Sequence, residues 1–479
     1  MLFILAAVYF LFFLFLAWKN FRLAVILFII FLPAYLIRFE IFHFKNLVFP
    51  STVLELSFGA LFLVWLIKHS RHDFRSIWAV SQKHKILFIA FDLFFLASAV
   101  GIFVSDMPIP TFGEWRAFFL EPMILFLILV GRAVIPTRPH LNLLLKGEEV
   151  VDPSPVRRGQ GEVSLNSHDL IWGLALSTLS ISVYAIIQKF TGWGIATPEW
   201  TGEATRRVTA FFSSPNAVGL YLAPVTMLII PLLLRGGQGG VAEVGAMQFS
   251  PATPPSPPLG KRRMTRALLI MVFVLSVVAI FFTKSQGTWI GLAGGVLVFL
   301  FFVGYKKIAA VMAVLGVIFA LLLPSMRQAV LFQDQANQNR LRLWGYTQTF
   351  LTKSPQNFIL GTGVRQFFRK IQKPYYDKIV MERLIYPHNI FLNFWTEIGL
   401  LGMLAIITIL GYAFYLSYKI GKNNKLLGAG LLGALTALVT HGLVDVPYFK
   451  NDLSFLFWII IVIIIKSCEN IRQSQADVV

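Results

Sequence analysis

Thirteen apolar runs divide this 479-residue chain. They lie near 2–17, 22–37, 52–67, 86–104, 117–135, 170–187, 212–233, 267–283, 288–304, 308–324, 389–416, 426–443 and 453–465. A helix needs about 20 mostly apolar residues to cross the hydrocarbon core of a bilayer. Repeated this often, such runs predict an all-α polytopic membrane protein with about 12–13 transmembrane helices, one transmembrane domain over 1–479. Composition agrees: 57% of residues are hydrophobic and only 14% charged, where soluble domains carry about 25% charged. Met1 to Trp18 is apolar from its second residue, without a basic leader or a small-x-small cleavage site. It reads as a short retained helix rather than a signal peptide.

Net charge is +19. In this setting it points to cytoplasmic anchoring and anionic lipid contact. No basic stretch is interleaved with exposed aromatics as a nucleic-acid stacking platform would be, so no nucleic-acid partner is expected. A single cysteine, Cys468, excludes an internal disulfide and a Cys-based metal site. The short loops 68–85, 305–308 and 417–425 carry clustered Lys and Arg. If the runs alternate across the bilayer, these loops share one side, which the positive-inside rule makes cytoplasmic, with the C-terminus. Two stretches on that side, 146–168 and the Gly- and Pro-rich 236–263, read as flexible loops.

The opposite side receives one long segment, 325–387. It holds ten Lys and Arg against three acids, a net +7 where the charge rule expects few positives. An anionic ligand at the outer leaflet would explain the excess. Leu341, Trp344, Gln348 and Leu351 recur there at helical spacing, which predicts an amphipathic helix on the membrane surface.

Where this segment returns to the bilayer stands Pro387-His388-Asn389, followed by Gly399 and Gly402. His388, Leu392, Trp395, Gly399 and Gly402 are spaced 4, 3, 4 and 3, which puts them on one stripe of a helix. The two glycines would give that stripe a flat patch for a neighbouring helix. With Pro387 opening the helix, His388 falls in its first turn, where the dipole disfavours imidazolium. Such a His is a usable general base, or merely a cap.

Other polar groups fall on the same side. Arg207 precedes Ser214-Pro215-Asn216, a helix start, and is either a donor to phosphate oxygens or a headgroup anchor. Arg340-Leu-Arg342-Leu-Trp344 is a second basic cluster or a snorkelling helix. Thr283-Lys284-Ser285-Gln286-Gly287 is a very short turn. His441 and Asp445, four apart, would pair on one helical face; no third ligand at useful spacing accompanies them, so no metal is expected. Tyr375, Tyr376 and Tyr386 suit sugar stacking or an interfacial belt. Asp92, Glu121 and Glu397 fall in or near spans, and none of them is assigned a role.

Together these residues resemble the O-antigen ligase family, also called the O-antigen polymerase and ligase superfamily, from about Arg207 to about Phe457. The most specific part is His388-Asn389-x9-Gly399-x-x-Gly402, which matches the family's His-Asn/Ser/Gln-x9-Gly-x-x-Gly motif in every fixed position. Arg207 ahead of Pro215-Asn216, Arg340 before Trp344, Gly361-x-Gly363 and His441-Gly-Leu-Val-Asp445 support it. One departure is Ser285-Gln286-Gly287, where the family commonly has Ser-Arg-Gly; Lys284 substitutes for part of that charge.

The resemblance implies a glycosyltransferase-C type of helical fold in the bacterial inner membrane. It implies transfer of a glycan from an undecaprenyl-diphosphate carrier to an acceptor hydroxyl on the extracytoplasmic face, without metal or cofactor. His388 is then the base and Arg207 and Arg340 stabilise the leaving diphosphate. Substrate-binding roles fall to Arg342, Asn389, Asn216, Trp344, Lys284, Gln286, His441 and Asp445. A ligase onto lipid, a repeat-unit polymerase and a protein O-oligosaccharyltransferase share the motif. Outside the class stands a lipid-linked glycan flippase or transporter.

Overall fold

The computed structural model describes residues 2–44, 47–132, 165–234, 259–376 and 383–476. The stretches 146–168 and 236–263 lie outside the described residues, except that 165–168 and 259–263 enter the helices that follow. Lys378 and the acids Asp377 and Glu382 of the long basic segment also lie outside.

Each of the thirteen apolar runs falls on a helix. The N-terminal part contains α1 (Leu2–Lys19), α2 (Phe21–Ile30), an antiparallel ribbon of β1 (Arg38–Phe44) and β2 (Leu47–Thr52), α3 (Val53–Lys68) and α4 (Ser70–Lys83). Then come α5 (Lys85–Val104), α6 (Pro108–Trp115) and α7 (Glu121–Gly131), the last two joined by a π turn over Arg116–Leu120. The ribbon pairs Arg38 with Thr52, and a bulge interrupts it between Glu40 and Phe42. The central helices are α8 (Ser167–Thr191), α9 (Pro215–Leu234), α10 (Leu259–Phe282), α11 (Gln286–Val303) and α12 (Lys306–Leu322). The long segment folds into α13 (Pro324–Val330), α14 (Gln335–Thr352), α15 (Pro355–Leu360) and α16 (Lys373–Tyr376). Three helices close the chain: α17 (Ile390–Asn423), α18 (Lys425–Gly442) and α19 (Asn451–Ala476).

Among the described residues eight helices, α5, α8, α9, α10, α11, α17, α18 and α19, are long and apolar enough to cross a membrane. Two bent pairs raise the number to ten: α3 with α4 at 94°, and α12 with the helical stretch 324–352 at 107°. Three of the thirteen runs are not in this number: α1 and α2 are shorter apolar helices, and the run at 117–135 is divided between the π turn and the 11-residue α7. The class is as expected: an all-α polytopic membrane protein. Helix α19 forms its centre, with nearly every residue from Asn451 to Ser467 buried.

Two expectations about packing need correction. The His388–Gly402 stripe is not one continuous helical face, because α17 breaks at Ile398 (φ −131°) and Gly399 (φ 76°, ψ 178°). A Cβ on Gly399 would stand 2.3 Å from the Ile359 carbonyl oxygen. Gly399 is thus required by its left-handed backbone and by the end of α15, not by a neighbouring long helix. The close helix approach lies elsewhere. Gly287, Gly291 and Gly295, four apart on α11, face α18 so tightly that a Cβ on Gly295 would come 2.7 Å from the Gly433 carbonyl. That is the small-residue seam of membrane helices.

Helix α14 is amphipathic, but its buried residues are Leu343, Thr347 and Leu351; Leu341 is exposed. The buried stripe packs on Phe367 and Ile371 of the same segment. The segment therefore builds a small core of its own over the bundle.

Gly399→Ala should lower the melting temperature of the detergent-solubilised protein by several degrees, since a non-glycine residue in a strained region costs about 1–3 kcal/mol. Gly411→Ala, whose Cβ would meet nothing within 4 Å, should melt at or above wild type. Equal melting of the two variants would refute the role given to Gly399.

Candidate functional site

His388 does not sit in the first helical turn. The helix begins at Ile390, and Asn389 is its cap, its side-chain oxygen accepting from the backbone N–H groups of Phe391 and Leu392, both at 3.1 Å. Asn389 also donates from Nδ2 to the Leu443 carbonyl at 3.0 Å. Its contacts are therefore structural ones that tie α17 to the turn after α18. His388 stands one residue outside the helix in a left-handed conformation, φ 51°. The helix-dipole argument does not hold there. What holds the residue is a network. Trp344 Nε1 donates to the Pro387 carbonyl at 2.8 Å, fixing the peptide just before His388. The imidazole Nδ1 then meets Asp445 Oδ1 at 3.3 Å.

Asp445 connects the network. Its Oδ2 accepts from Asn216 Nδ2 at 2.8 Å, and its Oδ1 also accepts from its own neighbour's amide, Val446 N–H, at 2.8 Å. Asn216 Oδ1 in turn accepts from an Arg207 Nη2–H group at 3.3 Å, and Arg207 Nε donates to the Thr283 carbonyl at 2.9 Å. Arg207, Asn216, Asp445 and His388 thus form one unbroken polar chain that joins residues 207 to 445 of the sequence. Burial would raise the Asp445 carboxyl. The hydrogen bond and charge of His388, then the charges of His441 and Arg340, outweigh it and hold the group well below the usual carboxylate range.

Arg207 and Arg340 make no ion pair among the described residues. Arg207 is bound only to a carbonyl and an amide oxygen and lies over the Trp200 ring at 6.0 Å. Burial lowers its affinity for the proton, yet a guanidinium remains charged. Arg340 donates from Nη1 to Asn337 Oδ1 at 2.7 Å, and its buried Nε has no partner. Two guanidinium groups whose direct acceptors are neutral, near the single carboxylate of Asp445, leave an excess of positive charge, which is what an anionic ligand needs.

The remaining predicted residues separate. His441 is buried on α18 with Nδ1 unpartnered, its ring against Gly287, where a Cβ would stand 3.0 Å from the ring. It does not pair with Asp445 on a helical face, because α18 ends at Gly442 and Asp445 lies in the turn beyond. Lys284 is exposed, with φ 50°, and donates to the Ala204 carbonyl at 3.0 Å. Gln286 reaches the Ser325 carbonyl at 3.5 Å, tying the short turn to α13. Trp344 acts on the His388 peptide rather than presenting a bare ring. Arg342 is exposed and lies 200° around the α14 axis from Arg340, on the far side from the network. Gly399 and Gly402 are packing residues, in the corrected sense above.

Lys450 joins these residues in space, and no sequence pattern marks it, since a single Lys in a turn looks like any interfacial anchor. Its Nζ donates to Ser213 Oγ at 3.4 Å, beside the loop that carries Arg207. Burial lowers its ammonium, while the charges of Asp452 and Asp445 oppose that shift. Among the described residues no group of three His, Cys, Asp or Glu side chains could hold a metal ion.

Residues 271–407 match the model of the O-antigen ligase family. The matched segment contains Arg340, His388 and the glycine motif; Arg207, Asn216, His441 and Asp445 lie outside it and join it in space. No curated protein matches the chain. The family match supports glycan transfer of the O-antigen ligase and polymerase kind in general, by an integral protein of the inner membrane.

Because the Asp445 carboxyl is lowered on folding, the stability it contributes is complete above its ordinary value of 3.8 and is lost as pH falls below that. Melting temperature should therefore rise between roughly pH 3 and pH 5 in the wild type and less steeply in Asp445→Asn. Parallel melting profiles would show that the carboxylate is not paired as described.

Proposed function

We propose that the protein transfers a glycan from an undecaprenyl-diphosphate carrier to an acceptor hydroxyl on the extracytoplasmic face of the membrane. The observation that carries this reading is the continuous link from Arg207 through Asn216 and Asp445 to His388, with Arg340 close enough to act on the same carboxylate. A base and an anion-binding group are coupled through one aspartate.

The chemistry follows from the parts. An ionised Asp445 can only accept, so the His388 proton facing it sits on Nδ1 and the Nε2 lone pair is available. The acceptor hydroxyl gives its proton to Nε2 as its oxygen attacks the anomeric carbon. The bond from that carbon to the diphosphate oxygen breaks, and the lipid diphosphate leaves. By analogy with other glycosyl transfers, positive charge develops on the sugar ring in between. Negative charge builds on the departing oxygens, and preorganised guanidinium groups stabilise it without reorganising. Arg207 and Arg340 take this part, with Lys450 beside them. Asp445 orients the imidazole and stabilises the imidazolium formed, as the carboxylate of a Ser-His-Asp triad does. The left-handed backbone of His388 costs about 1–3 kcal/mol, a strain consistent with a functionally constrained position. Donor and enzyme share the plane of the membrane, which cuts the cost of encounter.

The test is transfer by purified protein in lipid nanodiscs, with an undecaprenyl-diphosphate-linked oligosaccharide as donor. His388→Ala should lower the rate by about 10²–10⁴, and Arg207→Gln or Arg340→Gln by about 10²–10³, with melting temperatures kept. Arg342→Gln should transfer near the wild-type rate. A fully active His388→Ala would remove the base from the proposal.

A further inference from the structure

The reaction described above uses Arg207, Arg340 and Lys450 together with His388. It leaves unused a second polar cluster that includes Tyr386, two residues upstream of His388. Arg365 Nη1 meets Glu114 Oε1 at 2.9 Å, with the two side chains 48% and 31% exposed. The Arg365 backbone N–H donates to Glu397 Oε2 at 2.6 Å. The other oxygen of Glu397, a residue only 2% exposed, has no partner among the described residues. One turn before it on α17, fully buried Asn393 leaves both side-chain polar atoms unpartnered. Tyr386 donates its hydroxyl to the Phe449 carbonyl at 3.1 Å and lies within electrostatic range of Glu114, Glu397 and Arg365. Arg38 of the ribbon acts on Glu114 from the far side.

Magnitudes argue against a purely structural role. Arg365 is held in a left-handed conformation, φ 68°, which costs about 1–3 kcal/mol in a residue with a side chain. The half-exposed pair it makes with Glu114 returns only about 0–1 kcal/mol. A buried carboxylate oxygen and a buried amide without partners add further cost. The loop is nevertheless tightly built. Gly363 (φ 82°) is pressed against Ser105, where a Cβ would stand 2.7 Å from the backbone nitrogen, and Gln366 Nε2 donates to Ser105 Oγ at 2.8 Å. This construction holds Arg365 against Glu114 at a place where stability gains little.

The two clusters also differ in chemistry. Arg207, Arg340 and Lys450 are three cations around one ionised carboxylate, Asp445. The second cluster combines carboxyl, guanidinium and phenol groups. Carboxyl oxygens accept from sugar hydroxyls, and a guanidinium donates to them. The one guanidinium of this cluster is already paired with Glu114, so it offers no free cation to a phosphate. We propose that the Glu114–Arg365–Glu397–Tyr386 cluster holds the acceptor, and that the part of the acceptor it holds is a neutral, hydroxyl-rich sugar rather than a phosphorylated one. The proposal rests on the transfer reading above for the word acceptor, but binding is measurable without turnover. The peptide Tyr386-Pro387-His388 then joins the sugar cluster to the base.

The experiment is saturation-transfer NMR with full-length protein in nanodiscs, free of sugar-based detergent. The probes are neutral trisaccharides of glucose, galactose, mannose, N-acetylglucosamine and rhamnose, each paired with its phosphate monoester. At least one neutral probe should bind, and its monoester more weakly. Arg365→Ala and Glu114→Gln should each weaken binding by about tenfold, the worth of one hydrogen bond to a charged group. The exchange Glu114→Arg with Arg365→Glu should recover the melting temperature without recovering binding, and Arg342→Gln should bind as wild type. Absence of binding by every neutral probe, tighter binding of the monoesters, or recovery of binding by the exchange would each overturn the proposal. Because binding is read here without turnover and His388→Ala is read above for transfer, failure of one reading leaves the other standing.

Discussion

A single buried carboxylate organises the functional end of this molecule. Asp445 accepts from an imidazole, an amide side chain and a backbone amide at once. A charge removed from water survives only with such partners, and breaking one member of a buried set costs far more than the set contributes. Asp445 therefore pins three segments to one another: the start of α9 through Asn216, the approach to α17 through His388, and the turn that follows α18. The tautomer of His388 follows from it, since an ionised carboxylate has no proton to donate.

Close helix packing brings those segments within reach. The glycine seam of α11 lets α18 approach so closely that His441 lies against Gly287. The same approach places the Thr283–Gln286 turn beside α9, where the Thr283 carbonyl fixes Arg207. A bulky residue in the seam would separate the turn from the carboxylate network, although it touches neither. The long basic segment is held from above in the same manner. Trp344 ties it to the peptide before His388, and the end of α15 rests on Gly399. Among the described residues the five non-glycine residues with left-handed backbones, Ala210, Lys284, Phe332, Arg365 and His388, all lie in the connections at this end. The helical bundle is regular by comparison.

Much of this was legible in the sequence, for physical reasons. Apolar runs mark helices in lipid because backbone groups there must be paired within the segment. Hence the runs mark the helices, and eight to ten of the described ones are long and apolar enough to cross a membrane. His388 and Arg207 are visible as polar residues at the ends of such runs, and Arg340 as part of a basic cluster within the long segment. That Asn216 and Asp445 bridge Arg207 to His388 depends on the meeting of three distant segments, which spacing does not encode. Helical periodicity failed at His388 and Gly399 because each has a left-handed backbone, and a period presumes a regular one. The seam at Gly287, Gly291 and Gly295 was readable as glycines four apart. Lys450 and the Glu114–Arg365 pair carry no local pattern at all.

Nitrogen-15 NMR of histidine-labelled protein, with the His388 signals identified from their loss in His388→Gln, tests the central claim most directly. The account predicts a proton on Nδ1 and an unprotonated Nε2 in the neutral ring, a perturbation of both signals when undecaprenyl diphosphate is added, and a mixture of tautomers in Asp445→Asn. A wild-type ring protonated on Nε2, or a tautomer indifferent to the loss of the Asp445 charge, would contradict it.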